Sequence, residues 1–296
     1  MTGGPAMTRR NPSRLEAHDP LDERQFLLAV RRLADSLGHG TDPSPFLGSG
    51  VDYVQSRPYQ PGDPVKSIDW RVTARSGRVH VKEYQTPKRM PVWLLLDTSA
   101  SMCVGSGRLT KYAWAVQVAG GLALAALARV SPVGLMGCGE REMDARPTLS
   151  RTRVLLWLHA LRHFHGDEQT RLSRRVRELA GVAGNRSLVI VLSDLHDPGA
   201  LPALKSLAQE HDVVVLQFWD PAEAGRTGGG IFRASEAETG KEFVGHGRSA
   251  WLEPGAFGEE LRRGAVDHLL LPVNEPFVGK LRGFLARRGL LGRGAR

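Results

Sequence analysis

The chain has 296 residues, 41% of them apolar and 24% charged, a composition that fits a folded globular protein and excludes a wholly disordered or fibrous one. Lys and Arg outnumber Asp and Glu by 40 to 31, a formal charge of +9 that admits nucleic acid, anionic lipid or an acidic protein as partner. With 6% aromatic residues and the basic ones in runs no longer than two, there is neither a base-stacking platform nor a phosphate-tracking helix, which speaks against nucleic acid.

The first twenty residues lack the apolar centre of a secretory signal and are expected to be a flexible tail, 1–20. Leu21 to Gly38 places Phe26, Val30, Leu33 and Leu37 at helical spacing with Arg31, Arg32 and Asp35 opposite, which predicts an amphipathic helix. A Gly/Pro/Ser connector follows, then a turn at "PGD" and the alternating run "RVTARSGRVHVKEY", which predicts two short strands hinged at "SG". Residues 21–90 therefore read as a small helix and hairpin module.

From Pro91 the pattern changes. Val92 to Leu96, "PVGLMGC", "SLVIVLSDL" and "DVVVLQFW" are continuous apolar runs of the kind that lies at the centre of a parallel sheet. Between and after them, helical spacing appears in Tyr112–Arg129, "TRVLLWLHALRHF", "RLSRRVRELAGVAG", "ALPALKSLAQ" and "VGKLRGFLARRG", with a hairpin expected in "IFRASEAETGKEFVGH" at Thr239 and Gly240. The stretch Tyr112–Val130 is apolar enough to suggest a membrane span. It contains Gln117 and two adjacent glycines, however, and is shorter than the roughly 20 residues a span needs, so it reads as a core helix and no transmembrane segment is expected. Strands alternating with helices predict an α/β fold for 91–296, a doubly wound, mostly parallel sheet.

In such a sheet ligands collect beyond the carboxyl ends of the strands. "LLLD" and "VLSD" each deliver an aspartate there, Asp97 and Asp194, and Asp97 is followed by Ser99 and Ser101. Carboxylates with hydroxyls form an all-oxygen set suited to Mg²⁺ or Mn²⁺. The plainer reading of the same residues is a capping turn. His159, His163 and His165 lack the further ligands of a transition-metal site and read as solvated or capping residues. Cys103 and Cys138 are too few for a disulfide framework and read as reduced thiols of a cytoplasmic protein.

Asp97-x-Ser99-x-Ser101 with a later Thr and with Ser193-Asp194 resembles the metal-ion-dependent adhesion site of von Willebrand factor type A domains. The preceding "RPYQPGDPVKSIDWRVTARSGRVHVKEYQ" resembles the hallmark of a bacterial branch, the domain of unknown function 58 (DUF58) family. The resemblance runs from about Phe46 to the C-terminus. It implies a Rossmann-like fold in which Asp97, Ser99, Ser101 and Asp194 hold Mg²⁺ or Mn²⁺. Thr170 is the candidate for the remaining ligand, and Asp167 and Glu168 beside it either repel an acidic ligand or take the metal themselves.

It further implies binding rather than catalysis, with a Glu or Asp of a partner protein completing the ion's shell. The partner expected from the family is a MoxR-type AAA+ ATPase, with a role in maturing or assembling other proteins and no small-molecule substrate. Two other functions compete. A Mg²⁺-dependent phosphohydrolase or nuclease would want more carboxylates and a free cation for phosphate, and sequence-independent nucleic-acid binding rests on net charge alone. The run Arg57, Tyr59, Asp63, Asp69, Trp70, Arg71, Arg75 and Lys82 alternates in charge and reads as ion pairs, with Trp70 packed to fasten the hairpin.

Overall fold

The computed structural model describes residues 21–38, 52–85, 90–106, 108–164, 167–184, 186–224, 231–235, 242–246 and 256–290. The expected tail, His165 and the hairpin turn at Thr239 and Gly240 lie outside them. In chain order the elements are α1 (Glu23–Gly38), β1 (Asp52–Pro58), α2 (Trp70–Ser76), β2 (His80–Gln85), β3 (Val92–Leu96), α3 (Lys111–Ala128), β4 (Val133–Gly137), β5 (Asp144–Thr148) and α4 (Arg151–Arg162). They continue with α5 (Leu172–Val182), β6 (Leu188–Ser193), α6 (Ala200–Glu210), β7 (Asp212–Trp219), β8 (Ile231–Ser235), β9 (Glu242–His246), α7 (Ala256–Arg263), β10 (Asp267–Pro272) and α8 (Val278–Leu290).

Six strands form one sheet in the order β10-β7-β6-β3-β4-β5, parallel except for the antiparallel edge strand β5. Alternate residues of the central strands feed two cores. Leu94, Leu96, Ile190, Leu192, Val214 and Leu216 meet α1, α3, α4 and α8, whereas Trp93, Leu95, Val189, Val191, Val213 and Val215 meet α5, α6 and α7. Both faces are thus covered, which is why these strands read as unbroken apolar runs. This is the doubly wound α/β architecture.

The apolar helix α3 is mostly buried between the sheet and its neighbours. Its glycine pair sets how closely α1 approaches: a Cβ on Gly121 would lie 2.6 Å from Leu33, and one on Gly120 would lie 3.0 Å from Val30. The N-terminal helix therefore docks on α3 through Val30 and Leu33, and Phe26 joins the same core.

The expected hairpin around "SG" is not present. Residues Trp70–Ser76 form α2, and β2 pairs antiparallel with β1, upstream of the predicted strands. The reason is local. Asp69 caps α2 by accepting from the N–H groups of Arg71 and Val72, and Gly77 ends it in the left-handed conformation at φ 69°. Trp70, expected to pack, stands on the first turn at 68% exposure. Of the ion pairs expected in this segment one is seen among the described residues, Arg57 forked onto both oxygens of Asp63, whereas Asp69 accepts from the Ser56 hydroxyl. β8 and β9 pair antiparallel, as a hairpin requires.

Gly121→Ala is expected to lower stability by roughly 1–3 kcal/mol in chemical denaturation, the gain in helix propensity being outweighed by the clash with Leu33. Trp70→Ala should stay within about 0.5 kcal/mol of the parent protein. A neutral Gly121→Ala would contradict the close α1–α3 packing.

Candidate metal centre

The order of the sheet reverses at β3. The chain passes from β3 to β4 on one side, and β6 lies on the other, so the crevice opens beyond the ends of β3 and β6. Asp97 follows β3 directly and Asp194 follows β6, and both are buried. Their loops are fixed by backbone bonds: Asp97 N–H donates to Leu192 C=O at 2.9 Å, and Cys138 N–H to Leu96 C=O at 2.8 Å.

All five residues singled out from the sequence meet here. Ser193 Oγ and Thr170 Oγ1 donate to Asp97 Oδ2 at 2.6 and 3.3 Å, and Ser99 N–H donates to Asp97 Oδ1 at 3.1 Å. The hydroxyls of Ser99 and Ser101 lie 3.0 Å apart. Leu195, next to Asp194, has φ 63°, a left-handed turn that a branched side chain adopts at a cost of about 1–2 kcal/mol. Ser193 Oγ anchors that turn by accepting Leu195 N–H at 2.9 Å.

Asp167 and Glu168 are both turned to other work. Glu168 is buried, accepts from the Thr98 hydroxyl, and takes the Arg141 N–H at 2.8 Å. Its own carbonyl accepts Ala100 N–H at 2.9 Å, so this loop braces the serine loop from behind. Asp167 pairs with the Arg141 guanidinium at 2.6 Å.

Four further residues were not anticipated. Lys111, wholly buried, places Nζ 2.8 Å from Asp194 Oδ2 and also bonds Glu223. His196 Nδ1 is 3.3 Å from the same Oδ2. Asp194, His196 and Glu223 offer ligand atoms within 4.8 Å of one another, a second possible metal-binding set. Asp220, at the end of β7, accepts Ser106 N–H at 2.6 Å and Ser106 Oγ at 2.5 Å, which ties the β7 loop to the serine loop.

Two sequence signals pointed to these groups. Asp220 in "QFWD" repeats the strand-then-aspartate pattern of "LLLD" and "VLSD". Lys111 is a cation on the first turn of an otherwise apolar helix, the end where the helix dipole disfavours positive charge.

Charge dominates the crevice. Burial, and then the neighbouring Asp194 charge, push the Asp97 carboxyl up to about 7, against the opposing bonds from Ser193 and Ser99. Asp194 goes the other way: burial raises it, but Lys111 and His196 outweigh burial and hold it below its ordinary value. Burial pushes the Cys103 thiol up to about 12, so it is no nucleophile. Both cysteines are free and buried.

The residues suit a hard divalent cation. Their donors are oxygens, and Asp194 Oδ1 is buried with no hydrogen-bond partner among the described residues, a costly state unless a cation or water meets it. By contrast His159 and His163 stack edge to face at 4.7 Å on α4, as a helix-end pair.

The fold and site define a doubly wound α/β domain with an acidic, hydroxyl-rich crevice at its switch point. The chain belongs to the family described as "Protein of unknown function DUF58", whose profile matches residues 55–248. Uncharacterized proteins of Mycobacterium tuberculosis and Mycobacterium bovis are 27% identical over 257 residues, which span 83% of this chain and 77% of each relative.

Without metal, the Asp97 proton retained in the fold is already lost from an unfolded chain whose carboxyl titrates near 3.8. Stability in EDTA is therefore expected to fall as pH rises from about 4 to about 7, by at most roughly 1.4 kcal/mol per pH unit. Asp97→Asn should flatten this slope in urea denaturation across that range. Parallel profiles for the two proteins would contradict the burial of an ionisable Asp97 beside Asp194.

Proposed function

We propose that the protein is a non-enzymatic, divalent-metal-dependent protein-binding module. Asp97, Ser99, Ser101 and Asp194, directly or through water, would hold Mg²⁺ or Mn²⁺, with Thr170 beside Asp97 as a further hydroxyl. A bound ion supplies a Lewis-acidic position that a carboxylate of a partner protein can fill. The observation that carries this reading is the buried Oδ1 of Asp194, which has no hydrogen-bond partner among the described residues, on a carboxylate that the Ser101 hydroxyl neighbours.

A binding role is favoured over phosphoryl transfer by what the charged groups already do. Asp97 is held by Ser193, Thr170 and the Ser99 N–H rather than presented as a nucleophile. Lys111 is buried between two carboxylates rather than presented to a phosphate. The proposed partner, a MoxR-type AAA+ ATPase acting in assembly or maturation of other proteins, rests on the family resemblance alone.

Isothermal titration with Mg²⁺ and Mn²⁺ tests the metal reading. Saturable binding is expected for the wild type and its loss in Asp97→Ala, with both proteins equally folded by circular dichroism. The ATPase from the same genome should then be retained by the wild type in Mg²⁺ and released by EDTA. Absence of ion binding by the folded wild type would overturn the metal reading, and retention in EDTA would overturn the metal-dependent contact.

A further inference from the structure

The crevice carries its own cation. Lys111 is the first residue of α3, behind the N-cap Thr110, and its whole side chain is buried. A lysine there loses hydration and opposes the helix dipole, so its place must be justified by its partners. Those partners are Asp194 Oδ2 and Glu223, the latter brought in by the turn after β7. The ammonium and the two carboxylates thus form one ion triad.

The charges at the crevice do not cancel. Asp97, Asp194 and Glu223 bring three carboxylates and Lys111 one ammonium, which leaves two negative charges when all are ionised. His196 places a ring nitrogen 3.3 Å from Asp194 Oδ2. Lys111 bonds Oδ2 of Asp194, and Oδ1 of the same carboxylate has no partner. An ion taken up at Oδ1 would thus share one carboxylate with an ammonium, and two like charges that close repel strongly in a buried site.

Resting on the metal-binding reading above, the geometry points to Lys111 as a resident counter-ion that sets the metal affinity of the crevice, with Glu223 as its ballast. Its charge opposes the incoming ion and holds the affinity below what three bare carboxylates would give. Glu223 draws part of that charge away from Asp194. Lys111 is thus a positioning and affinity-setting residue, not a ligand, and the β7 loop that carries Glu223 becomes part of the metal site's control.

The test is Mn²⁺ titration by calorimetry of the full chain, with the metal-induced rise in Tm as a second readout. Lys111→Met is expected to bind Mn²⁺ at least tenfold tighter than wild type, and Glu223→Gln at least fivefold weaker. The double variant restores the net charge and should return to within about threefold of wild type. Equal or weaker binding by a folded Lys111→Met would overturn the inference, since a lysine that merely props Asp194 in place predicts weakening. Should Lys111→Met not fold, the double variant and Glu223→Gln decide. A double variant more than tenfold weaker than wild type, or a Glu223→Gln that binds as well as wild type, overturns it. In each of these cases wild-type binding that is lost in Asp97→Ala leaves the metal reading standing. If no folded protein of the set binds Mn²⁺, both readings fall together.

Discussion

Two carboxylates, Asp97 and Asp194, are buried against each other at the ends of adjacent parallel strands, and much of the surrounding structure answers the electrostatic cost of that pairing. Parallel strands β3 and β6 bring the two side chains to one crevice because the sheet order reverses between them. Without compensation, neighbouring buried carboxylates drive a proton onto one of them. Here Asp194 receives an ammonium and Asp97 receives two hydroxyls and a backbone N–H. The asymmetry leaves Asp97 the easier to protonate and Asp194 the fixed negative charge, with one oxygen still unmet.

The loops that carry these groups brace each other. The Thr170 loop supplies Glu168, whose side chain takes Thr98 and whose carbonyl takes Ala100 N–H, so the serine loop is gripped on the side away from the crevice. On the other flank Asp220 holds Ser106 by two bonds, and Glu223 meets Lys111. A change in charge at the crevice therefore bears on three loops at once. This is a physical route by which occupancy of the proposed metal site would reach the neighbouring loops.

Much of the site was legible in the sequence because it depends on strand ends. A buried parallel strand is an apolar run, so an aspartate that stops it stands out, and Asp97 and Asp194 were found that way. The helices were legible too, α1, α4, α5, α6 and α8 from apolar residues at helical spacing and α3 from its length and Ala-rich apolar composition. What escaped was short, polar or long-range. β5 is an exposed antiparallel edge containing Pro147, which reads as no strand at all. β1 is a mostly polar run ending in Pro58, β10 is an edge strand with only three successive leucines, and α2 has only seven residues, although Asp69 before α2 and Gly77 after it were the helix's punctuation. The link from Lys111 to Glu223 spans more than a hundred residues and is set by where β7 ends, which no local pattern encodes.

The central claim is that an ion belongs between the β3 and β6 loops, and anomalous diffraction from crystals grown with Mn²⁺ would test it most directly. The account predicts a single strong peak within bonding reach of Asp194 Oδ1 and the Ser99 and Ser101 hydroxyls, with Asp97 beside it and Lys111 still on Oδ2. A crevice with no peak at saturating Mn²⁺, or a peak held instead by His196 and Glu223 in the place of the Lys111 ammonium, would contradict it.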